Sequence, residues 1–183
     1  MSNVIKTIFD RYSCRDFTGS PITSDQAETL AKAALAAPSA MNMQPWHITV
    51  ITNKELIDEM DADAMFILKA QGEEAYKRIM DRGGRIFYNA PCLIVIAKNE
   101  ADYSTLDTGI AAQNIALAAH DLGLASVICG MARIPLSGSR AAEWAKHLQI
   151  PEGYVFGMAV CVGFAKSGKP PHELDFSKVI YIN

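Results

Sequence analysis

The sequence predicts an α+β fold in three layers, a central sheet flanked on both faces by helices. Two patterns carry that prediction. Stretches with apolar residues at helical spacing alternate with short runs that are apolar throughout, and such runs need cover on both sides. The chain is also long enough to supply the cover. Its 183 residues correspond to about one domain and can bury on the order of 70% of the unfolded surface. Residues 1–183 are therefore taken as one domain, with no internal repeat, low-complexity tract or linker.

Each element has its own signal. Val4, Ile5, Ile8, Phe9 and Tyr12 recur at helical spacing and give a first helix. Thr23 with Gln26 is a capping-box pattern, followed by the apolar face Ala27, Leu30, Ala31, Ala34 and Leu35, with Pro38 ending the helix. The loop APSAMNMQP leads to WHITVIT, whose β-branched residues predict a strand. Residues 53–85 read as helical and mostly polar, with Asn53 as cap and Gly83-Gly84 as punctuation.

PCLIVIA (91–97) predicts a strand covered on both faces. From Thr105 to Leu122 the pattern is a long helix with Ala111, Ala112, Ala116, Ala118 and Ala119 on several sides. So little polar face predicts burial, with a subunit interface as one place for it, and Gly123 caps the end. ASVICG predicts a short strand, SGSRAAEWAKHLQ a helix and YVFGMAVCVG another buried strand. The tail GFAKSGKPPHELDFSKVIYIN is loop-like until VIYI, predicted as a final strand.

Composition narrows the function classes. Twenty acidic against seventeen basic residues leave a formal charge of −3, which argues against a generally basic nucleic-acid binder. No apolar run reaches the roughly 20 residues of a membrane span, and MSNVIKTIFDRYSCRDF lacks the apolar core of a signal peptide. Cys14, Cys92, Cys129 and Cys161 are too widely spaced for a zinc site or a disulfide framework. Free buried thiols in a reducing cytosol fit better, so a cytoplasmic location is expected. His47, His120, His147 and His172 are scattered and suggest no metal cluster.

The common catalytic signatures G-x-x-x-x-G-K-[ST], G-x-S-x-G and H-E-x-x-H are absent. Gly123 and Gly130 do not make a G-x-G-x-x-G turn, so a nicotinamide coenzyme would not be held in the Rossmann manner. Two polar segments remain. In RYSCRDF (11–17), Arg11 and Arg15 would share a face if the first helix continues, and with Ser13 they could clamp a phosphate. The alternative is a helix C-terminal turn with solvated arginines. In PSAMNMQPW (38–46), Ser39, Asn42 and Gln44 offer donors and acceptors suited to a flat heteroaromatic edge. An ordinary helix-to-strand connection is the alternative there.

The order of RYSCRDF, PSAMNMQPWHITVI, DTGIAAQNIALAAHDLGLASVICG and GMAVCVGFAKSGKP resembles the FMN-dependent nitroreductase family over nearly the whole chain. The resemblance implies a mixed central sheet and a homodimer with FMN at the interface, with the VIYIN tail able to add a strand to the partner's sheet. By match, Arg11, Ser13 and Arg15 would bind the ribityl phosphate, with Tyr12 and Cys14 beside them. Pro38, Ser39, Ala40, Asn42 and Gln44 would reach the ring edge and ribityl chain, partly from the neighbouring subunit.

Backbone amides of Cys129, Gly130 and Met131 would approach the flavin ring near N5 and O4. Lys166 and Lys169 are the matching basic residues for the C-terminal phosphate contact, and His172 stands where relatives carry an arginine. Arg82 and Arg85 are the basic residues available in the looser 60–89 region. The implied activity is NAD(P)H-dependent reduction of nitroaromatics, quinones or similar planar acceptors, ping-pong at one site. The flavin carries the chemistry and no dedicated catalytic residue is assigned. The alternatives are another flavin reaction on this fold (reductive dehalogenation or flavin breakdown) and a non-enzymatic FMN-binding or storage protein.

Overall fold

Cys92 to Ala97 are buried on both faces, which is what an uninterrupted apolar run demands. In the computed structural model, which describes residues 3–182, this strand is β2 (Cys92–Lys98) in a four-stranded sheet. The others are β1 (Trp46–Ile51), β3 (Ala125–Ile128) and β4 (Val155–Gly163), in the order β1-β2-β4-β3 with every neighbouring pair antiparallel. The parallel component among the described residues is the single bridge between Ser13 and Ser126.

Alternation along β2 and β4 sorts the side chains into two cores. Ile94, Ile96, Val160 and Val162 face α2 (Ser24–Leu35) and α5 (Ser104–Asp121), packing on Leu30, Ala34, Ala112 and Ile115. Leu93, Val95, Ala159 and Cys161 face the other way, onto Ile57, Met60 and Ala64 of α3 (Lys54–Gln71) and Ile79 of α4 (Glu73–Met80). The same core takes in Trp144 of α7 (Ala141–His147), behind the short α6 (Arg133–Leu136). Three layers result, as the sequence predicts. The small residues of α5 let it lie flat against the sheet, and they are the reason its inner side buries so completely.

Helix ends follow local chemistry. Thr23 and Gln26 form the expected reciprocal cap on α2, and the Asn53 side chain accepts the Leu56 amide at the start of α3. Gly123, at φ +72°, closes α5 while the Leu124 amide returns to the Ala119 carbonyl at 2.8 Å. Asp63 of α3 is buried because it accepts the Trp144 indole N–H at 2.7 Å, tying α3 to α7.

Three sequence expectations change. The first helix, α1 (Asn3–Asp10), stops before Tyr12, so Arg11 and Arg15 do not share a helix face. The 53–85 stretch is two helices broken at Gly72, whose φ of +146° suits only glycine. Val179 to Ile182 form no strand in the single chain and stay exposed, because nothing within the subunit pairs with them.

After α1 the chain runs extended along the far end of the sheet. The Cys14 amide donates to the Ser126 carbonyl at 2.9 Å, Thr18 to Phe164 at 2.9 Å, and Lys166 back to Asp16 at 3.1 Å. Phe17 is wholly buried there. Gly163 makes the fit possible, since a Cβ on it would come within 2.4 Å of Pro91 Cδ and 3.3 Å of Phe17 Cδ1. Gly163→Ala is therefore expected to lower stability by about 1–3 kcal/mol, read from urea denaturation. An unchanged midpoint would show that Pro91 and Phe17 can yield.

Candidate functional site

Residues 11–17 run irregularly past the sheet, anchored by bridges at Ser13 and Phe17, with Cys14 and Phe17 turned into the core. Arg11, Tyr12, Ser13 and Arg15 turn outward. That side opens on a cavity of about 270 Å³ lined by Arg11, Tyr12, Ser13, Arg15, Lys169 and His172, with Pro170 and Pro171 as a wall. An adjoining cavity of about 250 Å³ shares Tyr12, Ser13, Arg15 and Lys169. The Tyr12 hydroxyl donates to the Ser167 carbonyl at 3.2 Å and ties the C-terminal loop to this rim.

Three permanent cations thus converge. Arg11 Nε is buried and has no acceptor among the described residues, an arrangement that calls for an outside one. Burial pushes the pKa of half-buried Tyr88 up, with the charge of Arg15 acting against it. Lys166 does not line the cavity; its ammonium lies 3.1 Å from Asp16 Oδ1. Arg85 is likewise engaged, pairing with Asp58, which Lys54 also contacts.

The 38–44 loop carries backbone strain. Met41, Asn42 and Gln44 hold φ of 51°, 54° and 46°, each costing on the order of 1 kcal/mol or more for a residue with a Cβ. Side chains hold it in place. Asp107 Oδ1, at the start of α5, accepts the Ala40 amide at 3.3 Å. Ser39 Oγ accepts the Gln44 amide at 2.9 Å, and Gln44 Nε2 donates to Asn42 Oδ1 at 3.2 Å. Pro38, Asn42 and Gln44 are exposed, Ser39 and Ala40 half-buried, and none lines the cationic cavity within one chain.

At the end of β3, Cys129 is buried, and Gly130 begins a 3-10 turn with Met131 half-buried behind it. The Cys129 amide donates to Ala159 at 2.7 Å and its thiol to the Ile86 carbonyl at 3.5 Å. Cys161 lies beside Cys129, a neighbour that sequence separation hides. The hydrogen bond to Cys129, with complete burial, pushes the Cys161 thiol well above its usual pKa.

The structure therefore brings Arg11, Tyr12, Ser13, Arg15 and Lys169 together, adds His172, and leaves Lys166 outside. Sequence reasoning passes over Tyr88 and Asp107. Tyr88 follows a loosely patterned stretch, and Asp107 looks like an ordinary first-turn acid until its burial is seen.

An antiparallel sheet between helical layers, with three cations around a small cavity at its end, defines an α+β protein equipped to hold an anionic group. Residues 8–164 match the profile of the Nitroreductase family, and the chain belongs to that family. It is 31% identical over 181 residues to an Archaeoglobus fulgidus protein provisionally named NADH dehydrogenase/NAD(P)H nitroreductase, covering 96% of this chain and 92% of that one. It is 32% identical over 170 residues to a Vibrio harveyi NADPH-flavin oxidoreductase, covering 89% and 66%. A crystal structure of a Desulfitobacterium hafniense nitroreductase with bound FMN superposes over 100% of both chains at a TM-score of 0.95, with 43% identity.

Inorganic phosphate is expected to bind the cationic cavity, more weakly as salt is raised. Arg15→Ala should weaken that binding about tenfold, or about 1.4 kcal/mol, and change stability by less than about 0.5 kcal/mol. Lys166→Ala should leave it unaltered. Calorimetric titration distinguishes the two variants.

Proposed function

We propose that this chain is an NAD(P)H-dependent FMN oxidoreductase that reduces nitroaromatics, quinones or similar planar acceptors in ping-pong turnover. The observation that carries the reading is the orphaned, buried Arg11 Nε beside Arg15, Ser13 and Lys169 in one cavity. An FMN phosphate of about −1.5 to −2 charge would satisfy that donor and offset the converging cations. Tyr12 forms part of the wall, and the C-terminal contact goes to Lys169 because Asp16 already holds Lys166.

The ring would lie toward the Cys129–Gly130–Met131 turn. Nothing stands within 4 Å of where a Gly130 Cβ would be, so that turn faces open space. Pro38, Ser39, Ala40, Asn42 and Gln44 would come from the partner subunit, their loop already bent and pinned before any ligand arrives. When bound, FMN supplies hydride transfer between NAD(P)H and the acceptor; the chain's part is to bind, orient and polarise.

A homodimer fits the exposed apolar side chains of α1 and α5: Val4, Ile5, Ile8 and Phe9 on one, Leu106 and Ile110 on the other. β1 is an edge strand, and a groove of about 510 Å³ runs along it from His47 to Asn53, walled by His147, Leu148 and Gln149. The tail Val179–Ile182, with Ile182 95% exposed, is the segment we assign to the partner's β1 edge. No described helix is long and apolar enough to cross a membrane, and all four cysteines are free, which suits a reducing cytosol.

Purified protein is expected to be yellow and to release FMN on denaturation, and the double substitution Arg11→Ala, Arg15→Ala to be mostly colourless. Colour retained in that variant would mean the phosphate is misplaced. With NAD(P)H, steady turnover of a nitroaromatic or quinone is expected; bound FMN that is reduced slowly or not at all would favour storage. Removing residues 179–183 should shift the sedimenting species from dimer toward monomer, and an unchanged dimer would remove the tail from the interface.

A further inference from the structure

Asp107 is an acid buried in the first turn of α5. An exposed acid would complement the helix dipole equally well, so its burial needs another reason. It is 4% exposed, its Oδ1 accepts the Ala40 amide at 3.3 Å, and its Oδ2 is buried without a partner among the described residues. An unpaired buried oxygen is costly, and an apolar residue would pack α5 without that cost. What the side chain holds is the 38–44 loop. Among the described residues this is the hydrogen bond that reaches residues 39–44 from outside; those of Ser39, Asn42, Met43 and Gln44 stay within the loop. The left-handed residues Met41, Asn42 and Gln44 thus share one external anchor.

The sheet fixes the anchor. Gly157 of β4 lets α5 lie close, since a Cβ there would come within 2.9 Å of the Ile96 carbonyl oxygen and 3.0 Å of Thr108 Cγ2. The Ser104 hydroxyl donates to the Asn99 carbonyl at 3.0 Å and accepts from Lys98 Nζ at 3.3 Å. The Asn99 amide in turn donates at 3.1 Å to the carbonyl of Pro45, where the loop enters β1. Residues between β2 and the first turn of α5 therefore grip the loop near both ends, at Ala40 and at Pro45. Leu106, next to Asp107, and Ile110 belong to the exposed apolar face assigned above to the partner subunit.

We propose that Asp107 is a positioning residue that acts across the dimer: by holding the Ala40 amide it sets the loop that completes the FMN site of the partner subunit. This rests on the FMN and homodimer readings above. None of residues 38–44 lines the cationic cavity of its own chain, so Asp107 bears on FMN through the other subunit and not on the anion site of its own.

The test is FMN titration of apoprotein. Asp107→Ala is expected to raise the FMN Kd about fivefold while inorganic phosphate binding stays as in wild type. Asp107→Asn keeps an acceptor for the Ala40 amide and should remain within about twofold of wild type. Heterodimers of Asp107→Ala with Arg15→Ala, isolated with two different affinity tags, separate action across the dimer from action within one chain. One of their sites then joins native cations to a native loop and should bind with the wild-type Kd. The other carries both lesions and should bind more weakly than either homodimer. A heterodimer with no site of native affinity overturns the proposal, because lesions within one chain's site, or a general loss of stability, leave none. A wild-type Kd in Asp107→Ala, an equal loss in Asp107→Asn, or an equal loss of phosphate affinity also overturns it; each leaves the FMN site standing. Wild type that binds no FMN overturns both readings. Should Asp107→Ala not fold, Ala40→Pro takes its place in every arm. It removes the same N–H from the loop's side, at the start of a 3-10 turn and after an extended Ser39 (φ −138°, ψ 155°), where proline fits.

Discussion

Three positive side chains are brought together around one small cavity at the end of the sheet, and no acid is among the residues that line it. That constraint organises the rest. Arg11 and Arg15 line one cavity, and the bonds from Cys14 to Ser126 and from Thr18 to Phe164 prevent the segment from swinging away. Lys169 arrives from the opposite end of the sequence, on a loop fastened by Tyr12. Mutual repulsion at such range would scatter flexible side chains in water. Here the backbone is tied to the sheet by the Cys14–Ser126 and Thr18–Phe164 bonds, which lowers the ordering entropy that opposes association with an anion.

The two loops beyond the cluster share a construction. Each contains left-handed residues that are not glycine, and each is fastened by a buried aspartate through a backbone amide: Asp107 on Ala40, Asp61 on Ile86. In both carboxylates the second oxygen is buried without a partner among the described residues. A strained loop held by a side chain from a rigid helix keeps its shape without needing a core of its own. Stability is given up locally so that geometry is fixed where a ligand would sit.

Much of the fold is legible because burial writes itself into the sequence as period. The continuous runs at 92–97 and 155–163 can only be interior strands, and the Thr23–Gln26 box marks a helix start by local hydrogen bonding alone. The end of α1 is not legible in that way. Tyr12 continues the helical spacing, but the chain gains more by bridging Ser126, a partner more than a hundred residues distant. Lys166 and Lys169 look equivalent in sequence and differ only because Asp16 happens to stand opposite one of them. Cys129 and Cys161 illustrate the same limit: no spacing rule brings them side by side, whereas the β3–β4 register does.

All four thiols are shielded by the fold, and burial holds Cys14 and Cys92 above their usual pKa, Cys92 up to about 12. The hydrogen bond with Cys161 lowers the pKa of the Cys129 thiol instead, so there burial alone stands between the sulfur and an alkylating reagent. The sulfurs lie in different places: one under the arginine segment, two where β3 meets β4, one on the opposite face of β2. Each becomes modifiable only when its own neighbourhood opens. The protein thus carries built-in reporters of local unfolding, and the sequence in which its cysteines become labelled would map which parts of the sandwich breathe first.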